Sequence, residues 1–268
     1  MNNNKLPVYI DGVGVFGPGM TSWNECRAVL RGECEYQPQA LPKLLPELLV
    51  PAVRRRTGDY IRLAVKVAAE AAEHSIKDAS QLATVFATSD SDGNIAHTIC
   101  GAVVQDEPMV SPTMFHNSVT NSPAGYWCIA VKSQAPSTSV AGYDASFAVG
   151  WLEAVTQLAV DEYDAMLVVH DVKMPEPLNT CRPMECNFGI ALALSRQQGE
   201  QALARVETGI VADTETLLAS DQLNTLRLGN PAARGLPLLA AMARGVSSNV
   251  MIPYLDDTVV SLKVELLL

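Results

Sequence analysis

The sequence has few aromatic residues, few basic residues and no long apolar run. Aromatic residues make up 6% of its 268 residues while hydrophobic residues make up 48%, so a large core must be built from aliphatic side chains. The net charge of -10 argues against a surface for nucleic acid or a polybasic membrane anchor. No apolar run approaches the roughly 18 residues of a membrane span, and the start lacks a signal peptide's apolar segment. We therefore expect a cytoplasmic protein without a membrane span.

Cysteine pairs at metal-binding spacing are also missing. The six cysteines are Cys26, Cys34, Cys100, Cys128, Cys181 and Cys186. Without a CxxC pair, most of them are expected to be small buried residues in a reducing compartment. Cys181 and Cys186 could form half of a metal site, but no second pair supports it. We expect neither a metal nor another cofactor.

Histidine is scarce and unevenly placed. The four histidines are His74, His97, His116 and His170, so residues 171–268 contain none. A site that needs histidines from the C-terminal part therefore cannot be built from this chain. His170 and Asp171 could form an acid–base dyad, but neighbours at a strand end point to opposite sides. His116 stands in a polar loop, where a role at an interface is the preferred interpretation.

Two segments imitate ligand-binding loops. Residues 12–17 fit GxGxxG, the dinucleotide fingerprint, but Pro18 and Gly19 interrupt the point where its helix should begin. This interruption favours a glycine-rich strand exit. Residues 89–94 resemble the first half of a calcium loop, but Gly101 stands where the bidentate glutamate would be. We expect neither segment to bind a ligand.

Hydrophobic periodicity predicts alternating strands and helices, and hence an α/β fold. The predicted strands cover 8–15, 83–89, 165–169 and 188–194, with a C-terminal hairpin turned at 256–257. The predicted helices cover 57–75, 95–104, 124–132 and 144–160. Residues 202–208 are expected to pair with 188–194, and 108–121 to form a polar loop.

Residues 133–150, SQAPSTSVAGYDASFAVG, predict a strand, a tight turn and a helix. Such an elbow can present a nucleophile at a helix N-terminus, where the helix dipole lowers the pKa of a thiol. The residue at that place is Asp144. A carboxylate is a weaker nucleophile than a thiolate.

The order of these parts resembles the β-ketoacyl synthases of the thiolase-like fold. The segments IDGVGVFGPG, VSPTMFHNSVTNSPAGYW, the elbow and CRPMECNFGIALALS are similar to the family's motifs in the same order. Residues 111–127 and 230–245 are most similar to a short, chain-length-factor-like subgroup associated with aryl polyene biosynthesis. The resemblance implies a thiolase-like layered α/β/α fold with a strongly shortened second half. Residues 1–212 would then form the N-terminal half, and 213–268 the reduced C-terminal half.

The departures from the family pattern bear on catalysis. Ketosynthases carry a cysteine nucleophile at the elbow and take two histidines from their C-terminal half. Counting back 17 residues from Asp161 places Asp144 at the cysteine position. With no downstream histidine either, the resemblance implies no catalytic residue here, and Asp144 is interpreted as an acid at a helix start.

The resemblance also implies an interface. A sheet covered by such a short second half should expose an apolar face, and an exposed apolar face predicts a partner. By resemblance, the residues at the interface and in the wall of the partner's acyl tunnel are Met114, Phe115, His116, Asn117 and Asn121. The basic triplet at 54–56 is interpreted as a solvated turn, with docking of an acidic partner as the alternative.

Three functions remain open from the sequence. The first is a non-catalytic subunit that pairs with an active β-ketoacyl synthase and meets the acyl carrier protein through that complex. The second is a divergent acyl-thioester transferase or thioesterase that uses Asp144 or His116. The third is a homodimeric scaffold without acyl chemistry. The first is preferred because Asp144 and the missing histidines leave no family active site.

Overall fold

The structure is a computed structural model that describes residues 7–267. Its centre is one eight-stranded sheet in the order β3-β2-β4-β5-β1-β6-β8-β7. The strands are β1 (Val8–Phe16), β2 (Ala83–Thr88), β3 (Ser137–Ala141), β4 (Ala165–Asp171), β5 (Phe188–Ser195), β6 (Ala204–Ala212), β7 (Ser248–Pro253) and β8 (Thr258–Leu266). Strands β3, β2 and β4 run parallel, and every other pairing in the sheet is antiparallel.

Ten α-helices surround the sheet in the described chain. They are α1 (Trp23–Arg31), α2 (Pro51–Arg54), α3 (Asp59–Glu73), α4 (Gly93–Val103), α5 (Pro112–Asn117), α6 (Ser122–Val131), α7 (Ser146–Val160), α8 (Leu178–Cys181), α9 (Asp221–Gly229) and α10 (Leu236–Arg244). Two 3-10 turns, Tyr143–Ala145 and Pro231–Gly235, precede α7 and α10. Within residues 7–267, no helix combines the length and the apolar character needed to cross a bilayer.

The sheet separates two apolar clusters. One cluster joins α1, α7 and α10 to one face of the sheet, and the other joins α3 and α6 to the opposite face. Both contain strand residues that are wholly buried, because successive side chains of a strand point to opposite faces. The predicted α/β/α layering is confirmed.

Helix α3 lies so close to β1 that only glycine fits between them. A Cβ at Gly12 would overlap the carbonyl oxygen of Ala71, and a Cβ at Gly14 would overlap that of Val67. The Glu70 carboxylate between them accepts hydrogen bonds from two backbone N–H groups, of Val15 at 3.0 Å and of Trp23. We call this contact the β1–α3 seam. The GxGxxG glycines therefore serve helix–strand packing, and the helix that follows starts only at α1.

The order of the strands corrects one prediction. Residues 202–208 were expected to pair with 188–194, but β6 pairs with β1 and β8 instead. Strand β1 lies between them, pairing Tyr9 with Ser195 on one side and Val8 with Val206 on the other. The prediction was wrong because pairing depends on contacts far along the chain, which a strand's own pattern does not record.

The C-terminal hairpin also differs from expectation. Strands β7 and β8 extend the same sheet beside β6 instead of covering its face. The outward face of β6 and β8 carries ion pairs from Arg205 to Glu207 at 2.8 Å and to Glu265 at 3.2 Å. The uncovered side of these strands is therefore charged around Arg205, whereas Ile210 and Val211 near the end of β6 are exposed apolar residues. The expected apolar face stays a prediction. The division into halves at residue 212 stays a prediction.

Three local expectations are corrected. The polar loop predicted over 108–121 contains α5, because Pro112 occupies the first turn of a helix, where its missing N–H is not needed. The α-helix of the elbow begins at Ser146, two residues later than predicted, after a 3-10 turn. Of the six cysteines, only Cys26 is buried, and Cys34, Cys100 and Cys181 are exposed.

Candidate functional site

The elbow has a strained residue at its tip. Strand β3 ends at Ala141, and Tyr143 follows with φ +53°, a conformation that L-residues other than glycine seldom adopt. The Ser146 hydroxyl donates to the Tyr143 carbonyl at 2.7 Å and accepts from the Gly142 N–H at 3.3 Å, which holds the turn. Strained residues cluster at functional sites, because the surrounding structure must hold them in place. The elbow is therefore the strained turn that was predicted to present a nucleophile, with Tyr143 at its tip.

Asp144, the predicted occupant of the nucleophile position, is ion-paired. Its Oδ1 lies 2.8 Å from Nη1 of Arg182. The Arg182 guanidinium carbon lies 3.5 Å from the centre of the Tyr143 ring, and Nε lies 3.4 Å from Oδ2 of Asp90. We call Tyr143, Asp144, Arg182 and Asp90 the elbow cluster.

The elbow cluster is accessible on its outer side. Tyr143 is 60% exposed and the Asp144 side chain is 51% exposed, whereas the Arg182 side chain is mostly buried. Burial by itself pulls the pKa of Arg182 down, but the hydrogen bond and charge of Asp144 outweigh burial and raise it. The cluster thus presents an aromatic ring, a fixed cation and a paired carboxylate. Asp144 follows the tip residue, and its assignment to the cysteine position stays a prediction.

A buried acid lies beneath the elbow cluster at the end of β4. Asp171 accepts hydrogen bonds through Oδ1 from the Thr88 hydroxyl and from the N–H and hydroxyl of Ser89. Burial raises the pKa of Asp171 to about 7. The hydrogen bonds from Thr88 and Ser89 lower this pKa, and the negative charge of the nearby Asp90 raises it further. The adjacent backbone carbonyl of Asp171 lies 3.4 Å from the Asn230 amide nitrogen, which ties β4 to the C-terminal part. Asp171 serves the link between β4 and β2.

His170 does not form a dyad with Asp171. Its ring lies in the α3 cluster, 4.7 Å from the ring of Tyr60 and 6.3 Å from that of Phe86. Both ring nitrogens are buried without a hydrogen-bond partner. Burial lowers the pKa of His170 to about 3, so the ring is neutral. The dyad is excluded because the His170 ring lies against Tyr60 and Phe86, whereas the Asp171 carboxylate binds Thr88 and Ser89.

The five predicted interface residues separate into two groups. Phe115, His116 and Asn121 line an open cleft of about 720 Å³ between α5 and α6, and Phe115 is 69% exposed. Asn117 is buried, donating to the Arg56 carbonyl at 2.8 Å and accepting from the Tyr126 hydroxyl at 3.0 Å. Met114 is half-buried on α5 and is not part of the cleft lining. Asn117 therefore holds α5 in place, while Phe115, His116 and Asn121 face outward into the cleft.

Neither Arg182 nor Tyr143 was predicted as a site residue from the sequence. Arg182 precedes Pro183 in CRPMECNFGIALALS, and its place in this family-like segment was the available signal. The α8 turn ends at Cys181 and carries Arg182 over the elbow. No group of three or more metal-ligating side chains converges anywhere in residues 7–267.

Comparisons with known proteins identify a family. A family model described as "Beta-ketoacyl synthase, N-terminal domain" matches residues 23–248. No curated protein sequence matches the chain.

Solved structures share the fold. A chain from the structure of a ketosynthase (ApeO) in complex with its chain length factor (ApeC), from Xenorhabdus doucetiae, superposes with a TM-score of 0.74 at 21% identity, covering 97% of this chain and 100% of that one. The ishigamide ketosynthase/chain length factor gives 0.71 at 13% identity, covering 97% and 99%. A β-ketoacyl synthase from Burkholderia phymatum gives 0.59 at 13% identity, covering 90% of this chain and 71% of that one. The thiolase-like α/β fold is thus confirmed.

Proposed function

This chain belongs to the β-ketoacyl synthase family, and we propose that it is a non-catalytic subunit that pairs with an active β-ketoacyl synthase. The observation that carries the proposal is the elbow cluster. Tyr143 occupies the tip of the nucleophile turn, and Asp144 beside it is bound by Arg182. Neither phenol nor paired carboxylate replaces a thiolate as the acyl acceptor, because both lack its nucleophilicity toward a thioester.

The histidines support the same interpretation. His170 is neutral and enclosed by apolar rings, and His74 contacts the Val13 carbonyl through Nδ1 at 2.7 Å. His116 is exposed on α5, and the sequence after His170 contains no histidine. In the proposed pair, the ketosynthase partner supplies the cysteine and both histidines, and the carrier protein delivers its acyl group there.

The surface around the elbow offers a place for the partner. Strand β3 is the edge of the sheet, so one side of its backbone is free to meet another chain. Beside the cleft between α5 and α6, the apolar side chains of Phe115, Val119 and Ile129 are exposed. A row of free strand groups next to exposed apolar side chains suits a protein–protein interface.

We propose that this interface gives the subunit its role in chain length. Phe115, His116 and Asn121 line the cleft, and across an interface they would form part of the wall of the partner's acyl tunnel. By resemblance to the short, chain-length-factor-like subgroup, the pair would belong to a type II polyketide or fatty-acid-like system. Its product would be an aryl polyene. Two observations support this proposal: the two structural neighbours come from ketosynthase/chain length factor proteins, and this chain covers 100% and 99% of them.

Co-expression with a candidate active ketosynthase tests the proposal. We expect the two chains to co-purify and to elongate carrier-protein-bound chains to a defined length, whereas this chain alone gives no condensation. Full activity of the ketosynthase alone with an unchanged product length would overturn the proposal. Condensation or thioester hydrolysis by this chain alone, lost in Asp144→Ala, would show an independent enzyme instead.

The interface itself is tested with a pair of matched variants. Ile129→Arg places a charge in the exposed patch, where Ile129 is 77% exposed, and should abolish co-purification. Val160→Arg makes the same change at the end of α7, where the valine is 71% exposed, and should leave the pair intact. If both variants co-purify equally well, α6 does not lie in the interface.

A further inference from the structure

The segment that contains α4, α5 and α6 is very poor in charge. Between Gly93 and Val131 the only Asp, Glu, Lys or Arg residues are Asp106 and Glu107, although 18% of the whole chain is charged. Burial does not explain this, because most residues of α4 and α5 are exposed. Exposed surface normally carries charged residues, whereas the core of a protein–protein interface is depleted in them. The exposed, charge-poor surface of these helices therefore indicates contact with another protein.

Helix α4 is fixed to the fold at its first turn. The Asp92 carboxylate accepts hydrogen bonds from the N–H groups of Asn94 at 3.1 Å and Ile95 at 3.2 Å. The Asn94 side chain donates to the Lys173 carbonyl at 3.3 Å. Within α4 the buried residues are Gly93 and Ile95. The later turns of the helix therefore lie at the surface, where α4 packs against α5.

The exposed side of α4 carries an apolar stripe. Its members recur at i, i+3, i+4, i+7 and i+8, the spacing of a helix face that packs against another element. They are Ala96, Ile99, Cys100, Val103 and Val104, and we call them the α4 stripe. Val103 is 54% exposed and Val104 is 79% exposed, and Ala96 and Cys100 are exposed as well. The stripe is thus a packing face that the fold leaves largely uncovered.

The α4 stripe adjoins the surface proposed for the ketosynthase. The cleft between α5 and α6 is lined from residues 112–129, and α4 packs against α5. A stable interface covers about 800 Å² on each partner. The exposed Phe115, Val119 and Ile129 supply only part of this area, because even a whole aromatic side chain contributes roughly 150–250 Å². The contact must therefore extend to neighbouring elements, and α4 offers an uncovered apolar face.

We propose that the α4 stripe packs against an apolar, uncharged surface of the active ketosynthase and is covered when the two chains pair. The inference rests on the proposed pairing and adds a contact surface outside the cleft. An uncharged stripe selects a partner surface that also lacks charge, because a charged side chain buried against it would lose its hydration without gaining an ion pair. A helix of the ketosynthase fits best, since residues at this spacing form ridges that pack into the grooves of another helix.

Alkylation of cysteines tests whether the stripe is covered. Cys100 lies in the α4 stripe and Cys34 follows α1, and both are exposed. The probe is N-ethylmaleimide, with mass spectrometry of the peptides. Cys100 should react at least about tenfold more slowly in the purified pair than in the chain alone, because the interface blocks access to its thiol. Cys34 should react equally fast in both, because α1 packs against α10 and not against the helices of the cleft.

The outcomes separate this inference from the proposed function. A pair that is intact by native mass spectrometry but leaves Cys100 as reactive as in the chain alone overturns the inference and leaves the pairing in place. Failure of the two chains to pair overturns both. Protection of Cys100 in the chain alone that increases with concentration would show that a second copy covers the stripe, and would overturn the ketosynthase as its occupant.

Two lysine variants of α4 test the contact directly. Val103→Lys places a charge in the stripe and should weaken the affinity of the pair at least about tenfold, because the charge loses hydration in an apolar contact. Thr98→Lys places the same charge on the opposite side of α4, where Thr98 is exposed, and should leave the affinity unchanged. Both positions are exposed, so both variants should keep the urea midpoint of the wild type. Equal affinities of the two variants overturn the inference.

Discussion

The β1–α3 seam and the elbow cluster both contain segments that resemble family motifs, but they differ in which amino-acid changes they can accept. At the seam, glycines admit the backbone of α3, and a buried carboxylate binds two backbone N–H groups. At the elbow cluster, the strained backbone is kept, yet its side chains are half-exposed and held by ion pairs. The seam is fixed by backbone contact, so its sequence is constrained by packing. The elbow is constrained in backbone shape, and its side chains are free to change with function.

The seam should give the largest loss of stability. In Gly14→Ala the new Cβ would overlap the Val67 carbonyl oxygen, and a backbone cannot move aside as a flexible side chain can. We expect a loss of roughly 3 kcal/mol or more in the free energy of unfolding, at the upper end for overpacked sites. Urea denaturation of the purified chain measures it.

Gly101→Ala is the matched control for this change. Gly101 lies in α4 with no atom near its Cβ position. Alanine in an exposed helix is favoured over glycine by about 1 kcal/mol, so this variant should gain stability. Equal losses in the two variants would show that α3 can move away from β1, and the contrast between seam and elbow would fail.

Glu70→Ala should give the next largest effect. The change leaves the buried N–H groups of Val15 and Trp23 without an acceptor, each of which costs about 1–3 kcal/mol. We expect a total loss of about 3 kcal/mol by thermal or urea unfolding. Glu73→Ala, an exposed position on the same helix, should change stability by less than about 0.5 kcal/mol. A small effect in Glu70→Ala would mean that water replaces the carboxylate, and that the seam is less enclosed than its packing indicates.

Two adjacent residues of β4 make stability depend on pH in opposite directions: His170 packs against Tyr60 of α3, and Asp171 binds Thr88 and Ser89. The pKa of His170 is about 3 in the fold against an ordinary 6.5, so its contribution to stability is present above pH 6.5 and lost as pH falls toward 3. The pKa of Asp171 is about 7 against an ordinary 3.8, so its contribution is present below pH 3.8 and lost as pH rises through 7. Between pH 3.8 and 6.5 the two slopes oppose each other.

Single variants should expose each slope. In His170→Phe, stability should fall more steeply than in the wild type as pH rises from about 4 to 7, with a difference of up to about 1.4 kcal/mol per pH unit, because the opposing titration of His170 is removed and that of Asp171 remains. In Asp171→Asn, stability should rise over the same window. Urea midpoints measured at several pH values give both slopes. Parallel curves for the wild type and both variants would show that neither group has a shifted pKa.

The sequence predicted the elements whose apolar pattern is strong. Helix α3 was predicted at 57–75 and found at Asp59–Glu73, and β5 was predicted at 188–194 and found at Phe188–Ser195. The position of β1 between β5 and β6 could not be predicted, because strand order depends on packing between distant segments. The length of β4 was underestimated, since the polar His170 and Asp171 end an otherwise apolar strand.

The candidate site was predicted in backbone shape and not in side-chain chemistry. The strand, turn and helix of residues 133–150 are visible in the sequence, and motif spacing directed attention to Asp144. Arg182 reaches the elbow only because the segment between β4 and β5 folds back over it, and no local pattern records that path.

The elbow cluster should show the smallest effect on stability. Asp144→Ala removes a half-exposed partner of Arg182, and exposed ion pairs contribute about 0–1 kcal/mol because water and salt screen them. Arg182 keeps Asp90 and the Tyr143 ring, so we expect a loss below about 1 kcal/mol in urea denaturation, decreasing further at high salt. A loss as large as that of Glu70→Ala would mean that the elbow is held by its side chains. The cluster would then be a structural counterpart of the seam, and its strained backbone would need no functional explanation.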